Sequence, residues 1–415
     1  MKAPQPAYDV IVIGGGASGM MAAGRAAARG KKVLLLEKNR KLGEKLKISG
    51  GGRCNITNAE YDTAALLKKY GTADAFLHSP FSKFGVQDTF EFFESRGLPL
   101  KVEASKRAFP KSERAADVLA AFESYIKEGK VEVRLGKAVT AIQTVKNRIE
   151  SITADGETLS ALSYVLATGG VSHPETGSTG DGFGWLRKLG HTVTDPTPTI
   201  VPLKTKEAWS RKLSGITLKD VKITFFADGK RAFSKKGNVL LTHFGISGPL
   251  ILNSAGQVAD LLHEELVTAS IDTYPGMDLG ILDKHISSIF DENKNKLLRN
   301  VFKDIAPTGT SDILLSLVPA IDPETKVHSV TKAERRTLAE LLKGLPLTIQ
   351  GLMGLDRAVI ADGGVDLVEI DTRSMRSRRC GNLFITGDLL HITRPSGGYS
   401  LQLCWTTGYV AGDSV

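Results

Sequence analysis

Cysteine is scarce in this chain of 415 residues: Cys54, Cys380 and Cys404 are all it has, and no two form a CxxC pair. That argues against a disulfide framework and a dithiol redox pair, and it fits a reducing cytoplasm. No apolar run approaches the ~20 residues that a membrane-spanning helix needs, so no membrane partner is expected. The opening MKAPQPAYDVIVIGGG lacks a signal-peptide layout, because its apolar run begins a strand rather than ending at a small-residue cleavage site. The eight histidines show no HxH or HExxH spacing, so no metal site is expected. Aromatic residues are only 7% of the chain, and no internal repeat or low-complexity tract is present.

What is present supports two or three domains, at ~100–200 residues each. Hydrophobic residues make up 41%, enough for real cores. The 54 basic and 45 acidic side chains leave a net charge of +9. A basic balance suits an anionic partner, whether a nucleotide cofactor, an acidic substrate or RNA, without choosing among them.

Tyr8–Ile13 (YDVIVI) reads as a buried strand. The Ala-rich run GGGASGMMAAGRAAARG follows as a helix, and Lys32–Glu37 (KVLLLE) reads as a second buried strand. This is one βαβ unit, parallel because of its crossover helix. Gly14-x-Gly16-x-x-Gly19 sits where the first strand ends and the helix opens. Its glycines allow the tight turn, the approach of a pyrophosphate and close helix–strand packing. Ala17 and Ser18 open the helix, whose free N–H groups and dipole favour phosphates. Glu37 ends the second strand, where a carboxylate accepts ribose hydroxyls. A lone GxGxxG is a weak signal, but strand, fingerprint, helix, strand and acid in register mark a dinucleotide site.

Further glycine-rich segments fall at strand ends: Ser49–Asn55, Thr168–Gly170, Gly177–Gly182, Gly387-Asp388 and Gly397-Gly398. A long cofactor with a second, flavin-bearing half needs such distributed backbone contacts, so FAD is favoured over NAD. Asp388 is expected at the ribityl chain. The helix begun by SGGYSLQ, with Ser400, Leu401 and Gln402, is expected to face the flavin edge where negative charge collects on reduction. The expected cofactor surface also takes in Lys38, Gly43, Lys45 and Val139. From the loops it adds Ser49, Gly50, Gly51, Gly52, Arg53, Asn55, Thr168, Gly169, Gly170 and Asp181. No second fingerprint follows another strand, so NAD(P)H is expected only as a transient reductant at the flavin face.

Elsewhere, VEVRLGKAVTAIQ and RIESITADGETL read as β-hairpins, and SYVLA and NLFIT as buried strands. After Pro196 the pattern alternates with period two, which suggests an antiparallel β domain. Leu279–Leu342 reads as helical, with Thr331 and Glu334 spaced as a capping box.

GEKLKISGGGRCNITN (43–58), YVLATGGVSHPETGSTGDGF (164–183), LTHFGISGP (241–249), GGVDLVEIDTRSM (363–375) and the SGGYSLQ tail resemble the BaiN/YhiN-like flavoproteins over nearly the whole chain. That family is also labelled NAD(FAD)-utilising dehydrogenases or the "aminoacetone oxidase family". The resemblance implies an α/β fold: a discontinuous Rossmann-like FAD domain with an inserted antiparallel β domain and a small helical subdomain. The corresponding spans are 1–195 and 369–415 for FAD, 196–275 and 345–368 for a β domain over the flavin, and 276–344 for the helices. It also implies reduction of conjugated carbon–carbon double bonds, as in steroid-like dienones or the uracil base of ribosomal RNA. The chain departs from the family where an acid-rich LDxDGxTGGYN segment is usual. Here LLHITRPSGGYSLQ (389–402) puts His391, Thr393 and Arg394 in place of acids and glycine, which changes the local charge.

The expected function is thus an FAD-dependent oxidoreductase, loaded by NAD(P)H and passing hydride from flavin N5 to an activated C=C bond. Cys54, Arg53 and His243 are the candidate catalytic residues. Cys54 lies in a glycine nest flanked by Lys45, Lys47 and Arg53, a setting that lowers a thiol pKa and suits a proton donor. A buried packing role for Cys54 is the competing reading. His243, in THFGISGP, is a candidate to polarise a carbonyl or donate a proton, or to serve as a structural histidine. Substrate is either a small molecule or RNA, with rRNA contacted through lysine-rich stretches such as Lys204–Lys236. Two alternatives remain: a non-enzymatic FAD- and RNA-binding redox switch, and a peroxide-producing amine oxidase, for which no aromatic cage is evident.

Overall fold

The computed structural model describes residues 6–262 and 266–415. In chain order, β1 (Tyr8–Ile13) leads into α1 (Ala17–Ala28) and β2 (Val33–Glu37), followed by β3 (Glu132–Leu135) and β4 (Ala161–Leu166). Strands β5 (Leu203–Thr205), β6 (Thr217–Ala227), β7 (Lys230–Thr242), β8 (Gly245–Ser247), β9 (Val267–Asp272) and β10 (Leu345–Leu352) come next. Then β11 (Leu383–Ile385) and a closing helix, Tyr399–Ser414, return to the first sheet. Two units result: residues up to Pro198 joined with Ala358–Val415, and Thr199–Arg357.

The first unit is built on a five-stranded sheet in the order β11-β4-β1-β2-β3. All its pairings are parallel. The near-continuous apolar runs of β1 and β2 suit strands covered on both faces, and Val10, Ile11, Leu34 and Leu35 are fully buried. The closing helix packs against α1, with small residues at the seam. A Cβ at Gly408 would lie 2.4 Å from Ser18 O, and one at Gly412 would lie 2.4 Å from Ala22 O. Trp405, fully buried, donates to Ile56 O at 3.0 Å and stacks on Phe122.

One strand differs from the sequence expectation. VEVRL, read as part of a hairpin, is instead β3, pairing in parallel with β2 at the sheet edge. Its alternation arises because an edge strand is half exposed. The hairpin proper is Val139–Val145 with Arg148–Ala154, extended by Glu157–Leu159 across the Asp155-Gly156 turn.

The second unit is a closed six-stranded antiparallel barrel, β5-β8-β7-β6-β9-β10, accompanied by helices that include Leu279–Glu292 and Lys332–Lys343. The expected β domain is therefore closed, which removes its open edges. The capping box forms: Thr331 N donates to Glu334 Oε2 at 2.8 Å, and Glu334 N donates to Thr331 Oγ1 at 3.2 Å. The 276–344 helices group with the barrel, whereas 358–368 group with the parallel-sheet unit.

A buried network ties His191 to the 369–380 segment. Ser377 Oγ accepts from Arg379 N at 3.0 Å and Cys380 N at 2.8 Å. Its own hydrogen is thereby directed to His191 Nε2, 2.8 Å away, and His191 Nδ1–H donates to Glu369 Oε2 at 2.7 Å. Burial lowers the His191 pKa; Glu369 opposes this and Arg379 reinforces it. A histidine with a depressed native pKa takes up its proton first in the unfolded chain. Stability is therefore expected to fall as pH drops from about 6.5, the unfolded value, through the lower native one. Thermal melts across this window check it, and the slope should flatten in His191→Gln. An unchanged slope in that variant would show that His191 is not the group responsible.

Candidate functional site

The C-terminal edge of the parallel sheet opens into a cleft with about 1220 Å³ of empty space, partly open to solvent. One end is formed by Gly14, Gly15, Gly16, Ala17 and Ser18, with Glu37, Lys38 and Asn39 from the end of β2. Gly14 has a φ of +108°, and a Cβ there would lie 2.5 Å from Ala167 O. A Cβ at Gly19 would lie 1.9 Å from Gly14 O, so Gly19 lets α1 close onto β1 from outside the cleft. Gly16 caps α1 with no side-chain hydrogen bond, and its first turn carries no acid. The leading N–H groups of α1 are thus left to an anion.

Glu37 is buried, and its carboxylate is fixed by Gly15 N and Asn39 N, each at 2.7 Å. A carboxylate oxygen accepts more than one hydrogen bond, so capacity remains for ribose hydroxyls. Lys38 Nζ pairs with Asp181 Oδ2 at 2.7 Å on the rim. Lys137, Ala138, Val139 and Trp185 complete this end. Thr168 also lines the cleft, and its buried Oγ1 has no hydrogen-bond partner.

The other end carries Lys45, Leu46, Ser49, Asp388, Ser400, Leu401 and Cys404. Lys45 Nζ lies 3.2 Å from Asp388 Oδ2 and donates to Ser172 Oγ at 2.6 Å. Arg394 Nη2 donates to Asp388 Oδ1. Burial pushes the Asp388 pKa up, but Lys45 and Arg394 outweigh it and hold the carboxyl below its usual range. The Cys404 thiol is pushed up to about 12 by burial and by Asp388.

A glycine cradle that a Cβ would fill, an uncapped helix N-terminus, a fixed carboxylate and an orphaned hydroxyl fit a dinucleotide such as FAD. Of the expected cofactor residues, Gly14, Gly16, Ala17, Ser18, Glu37, Lys38, Gly43 and Lys45 line the cleft. So do Ser49, Val139, Thr168, Gly169, Asp181, Asp388, Ser400 and Leu401. Gly170 and Gly387 pack behind it: their Cβ positions lie 3.5 Å from Asp388 Cβ and 2.9 Å from Ser18 Oγ.

Several expectations are corrected. Gln402 is fully buried, with its amide bound by Thr57, Thr89, Gly85 and Thr406. It lies two residues beyond Ser400, about 200° around the helix, and so faces away from the cleft. Gly50, Gly51 and Gly52 form an exposed turn and do not line the cleft. Asn55 meets Gly398 N at 3.0 Å through its amide oxygen. Gly397 and Gly398 begin the closing helix, and a Cβ at Gly398 would lie 2.3 Å from Thr57 C. This loop therefore braces the helix start. Arg53 is held by Glu103 and Glu113 and lies over the Phe109 ring at 4.2 Å, outside the cleft.

Cys54 is fully buried, and burial pushes its thiol up to about 12. The expected lowering fails because Lys45 and Arg53 spend their charge on Asp388, Glu103 and Glu113. His243 lies in the turn between β7 and β8 of the barrel unit, exposed, with its ring 4.9 Å from that of Phe244.

Cleft residues not expected from the sequence include Gly15, Asn39, Lys137, Trp185 and Cys404. Helical spacing was an available signal, because Trp185 follows Asp181 by four and Cys404 follows Ser400 by four. Among the described residues no cluster of three or more His, Cys, Asp or Glu has metal-holding geometry, and no helix is long and apolar enough to cross a membrane.

The family model described as "HI0933-like protein Rossmann domain" matches residues 8–414. The chain is 32% identical over 406 residues to 3-dehydro-bile acid delta(4,6)-reductase of Clostridium scindens, covering 97% of each chain. It is 25% identical to the ribosomal RNA dihydrouridine synthase of Escherichia coli, over 98% of each. Among solved structures it resembles 3-ketosteroid-delta4-(5alpha)-dehydrogenase from Rhodococcus jostii RHA1, with a TM-score of 0.53, 15% identity and 99% of each chain covered. That last likeness is one of fold.

Exchanging Cys54 for Ala is expected to leave turnover within about twofold, and the native thiol should resist alkylation at about pH 8, as a buried thiol does. Rapid labelling of Cys54 in the folded chain, or a large loss of turnover, would restore it as a proton donor.

Proposed function

The chain belongs to the HI0933-like family, one of FAD-dependent oxidoreductases, and we propose that it is an NAD(P)H-loaded reductase of an activated C=C bond in a small conjugated enone. One observation carries this reading: a single cleft runs from the Gly14–Gly16 turn and Glu37 to Lys45, Asp388, Ser400 and Leu401. Its two ends offer what the two halves of a flavin dinucleotide require.

In this reading Glu37 accepts the adenosine ribose hydroxyls, and the free N–H groups at the start of α1 take the diphosphate. Thr168 Oγ1 gains its missing partner there. Lys45 and Asp388 hold the ribityl side, while Leu46, Ala167 and Leu401 exclude water between them. When bound, FAD supplies hydride from its N5 atom and takes it back from NADH or NADPH. Cys54 and Arg53 are otherwise engaged, so neither is the proposed proton donor. The substrate class follows the 32%-identical relative, a delta(4,6)-reductase acting on a 3-dehydro-bile acid.

Anaerobic reduction of the FAD-loaded chain with NADH or NADPH, followed by mixing with a 3-oxo-4,6-diene steroid, tests this. Reoxidation by the steroid is expected. A chain that takes up no FAD, or is reoxidised only by oxygen, would overturn it.

A second reading, a uracil base of ribosomal RNA as substrate, is favoured by one feature of the barrel unit. Ten basic residues and three acidic ones lie between Lys204 and Lys236. Among the described residues none of the ten forms an ion pair, whereas Lys343 of the same unit pairs with Asp272. Lys222 and Lys236 even face each other directly across β6 and β7. An RNA contact there should weaken linearly in log–log salt titrations, and a Lys222→Glu, Lys236→Glu variant should flatten the slope. Salt-independent binding would exclude it.

A further inference from the structure

Arg394 is the only arginine or lysine among the buried residues of the described chain, at 4% exposure. A buried guanidinium is costly and persists only when fully paired. Here each face is used. Nη1 donates to Ile392 O at 2.6 Å, Nε donates to Ser400 Oγ at 2.7 Å, and Nη2 donates to Asp388 Oδ1. Ser400 and Asp388 both line the cleft. Arg394 therefore fixes two cleft side chains from behind.

The charge count is the second observation. Asp388 is one carboxylate held between two cations, since Lys45 Nζ lies 3.2 Å from its other oxygen. The group carries a net charge of one positive unit. Bracing a loop requires only that the guanidinium be neutralised, and the Asp388 carboxylate alone does that. With Lys45 also present, one charge is left over and faces the cleft.

We infer that Arg394 is a positioning residue that sets the reduction potential of the bound flavin, by fixing Asp388 and Ser400 and keeping the inner end of the cleft net positive. The inference rests on the reading that the flavin half of FAD occupies this end. A reduced flavin carries more negative charge at its pyrimidine edge than an oxidised one, so a surplus cation favours the reduced form. Removing Arg394 and removing the Asp388 charge should then act in opposite directions, which a brace alone does not do.

The test is the midpoint potential of the full FAD-loaded chain, read by reductive titration against a reference dye. Arg394→Gln is expected to lower it by the equivalent of tenfold in relative affinity for reduced and oxidised cofactor, ~30 mV for a two-electron couple. Asp388→Asn should raise it, and Arg394→Lys should restore it towards the parent value. If Arg394→Gln does not fold, Asp388→Asn and Lys45→Gln decide. The first should shift the potential upward; the second, which removes the surplus cation, should shift it downward. Equal potentials in Arg394→Gln and the parent, shifts of the same sign in the two charge variants, or no shift in Asp388→Asn would overturn the inference. Failure of the parent chain to bind FAD would instead count against the proposed function.

Discussion

The N-terminus of α1 carries no side-chain cap, and much of the parallel-sheet unit is arranged around that exposed end. A serine or aspartate at the cap would satisfy one of its leading amides and stabilise such a helix by a few tenths of a kcal/mol over glycine. This chain has Gly16 there instead and leaves the first amides without a protein partner. The arrangement holds only because α1 is clamped elsewhere: to β1 through Gly19, and to the closing helix through Gly408 and Gly412. Packing along its length offsets what its first turn lacks. An anion at that turn then stabilises the fold as well as the contact.

The far end of the cleft works differently. It relies on a carboxylate between two cations, braced from behind, beside the start of the closing helix, which also has no side-chain cap. A glycine turn with a fixed carboxylate at one end and a cluster of two cations on one carboxylate at the other give the cleft a direction. A dinucleotide has one way to lie in it.

The first end was legible from the sequence because its signals are local. Gly14, Gly16, Gly19 and Glu37 sit within one βαβ unit, and backbone sterics there leave few alternatives. The family resemblance read from SGGGRCNITN and its companions agrees with the family-model match over residues 8–414. The far end was harder because its residues come from two segments, 45–49 and 388–404, that lie far apart in the sequence. Asp388 and Ser400 are legible there, but Arg394 stands out only as a departure from a pattern, since nothing in LLHITRPSGGYS says that its guanidinium turns inward. The loop around Cys54 misled for the same reason. Glycines and lysines in sequence suggested an activated thiol, but Glu103, Glu113 and Asp388, the carboxylates that claim those cations, lie 49 or more residues from Cys54. Gln402 misled by helix phase alone.

The seam between α1 and the closing helix also bears on how the chain is assembled. Gly408 and Gly412 reach their partners Ser18 and Ala22 across nearly the whole length of the chain, and β11 joins β4 only after the barrel unit has intervened. Contacts this distant in sequence close late and slowly. During synthesis one edge of β4 must wait, uncovered, while some 200 residues emerge from the ribosome, a delay of about ten seconds or more, and the apolar flank of α1 waits about twice as long. The barrel, whose strands are contiguous apart from β10, is free to form in that interval. The nucleotide cleft is then completed only after the strands of the barrel have been made.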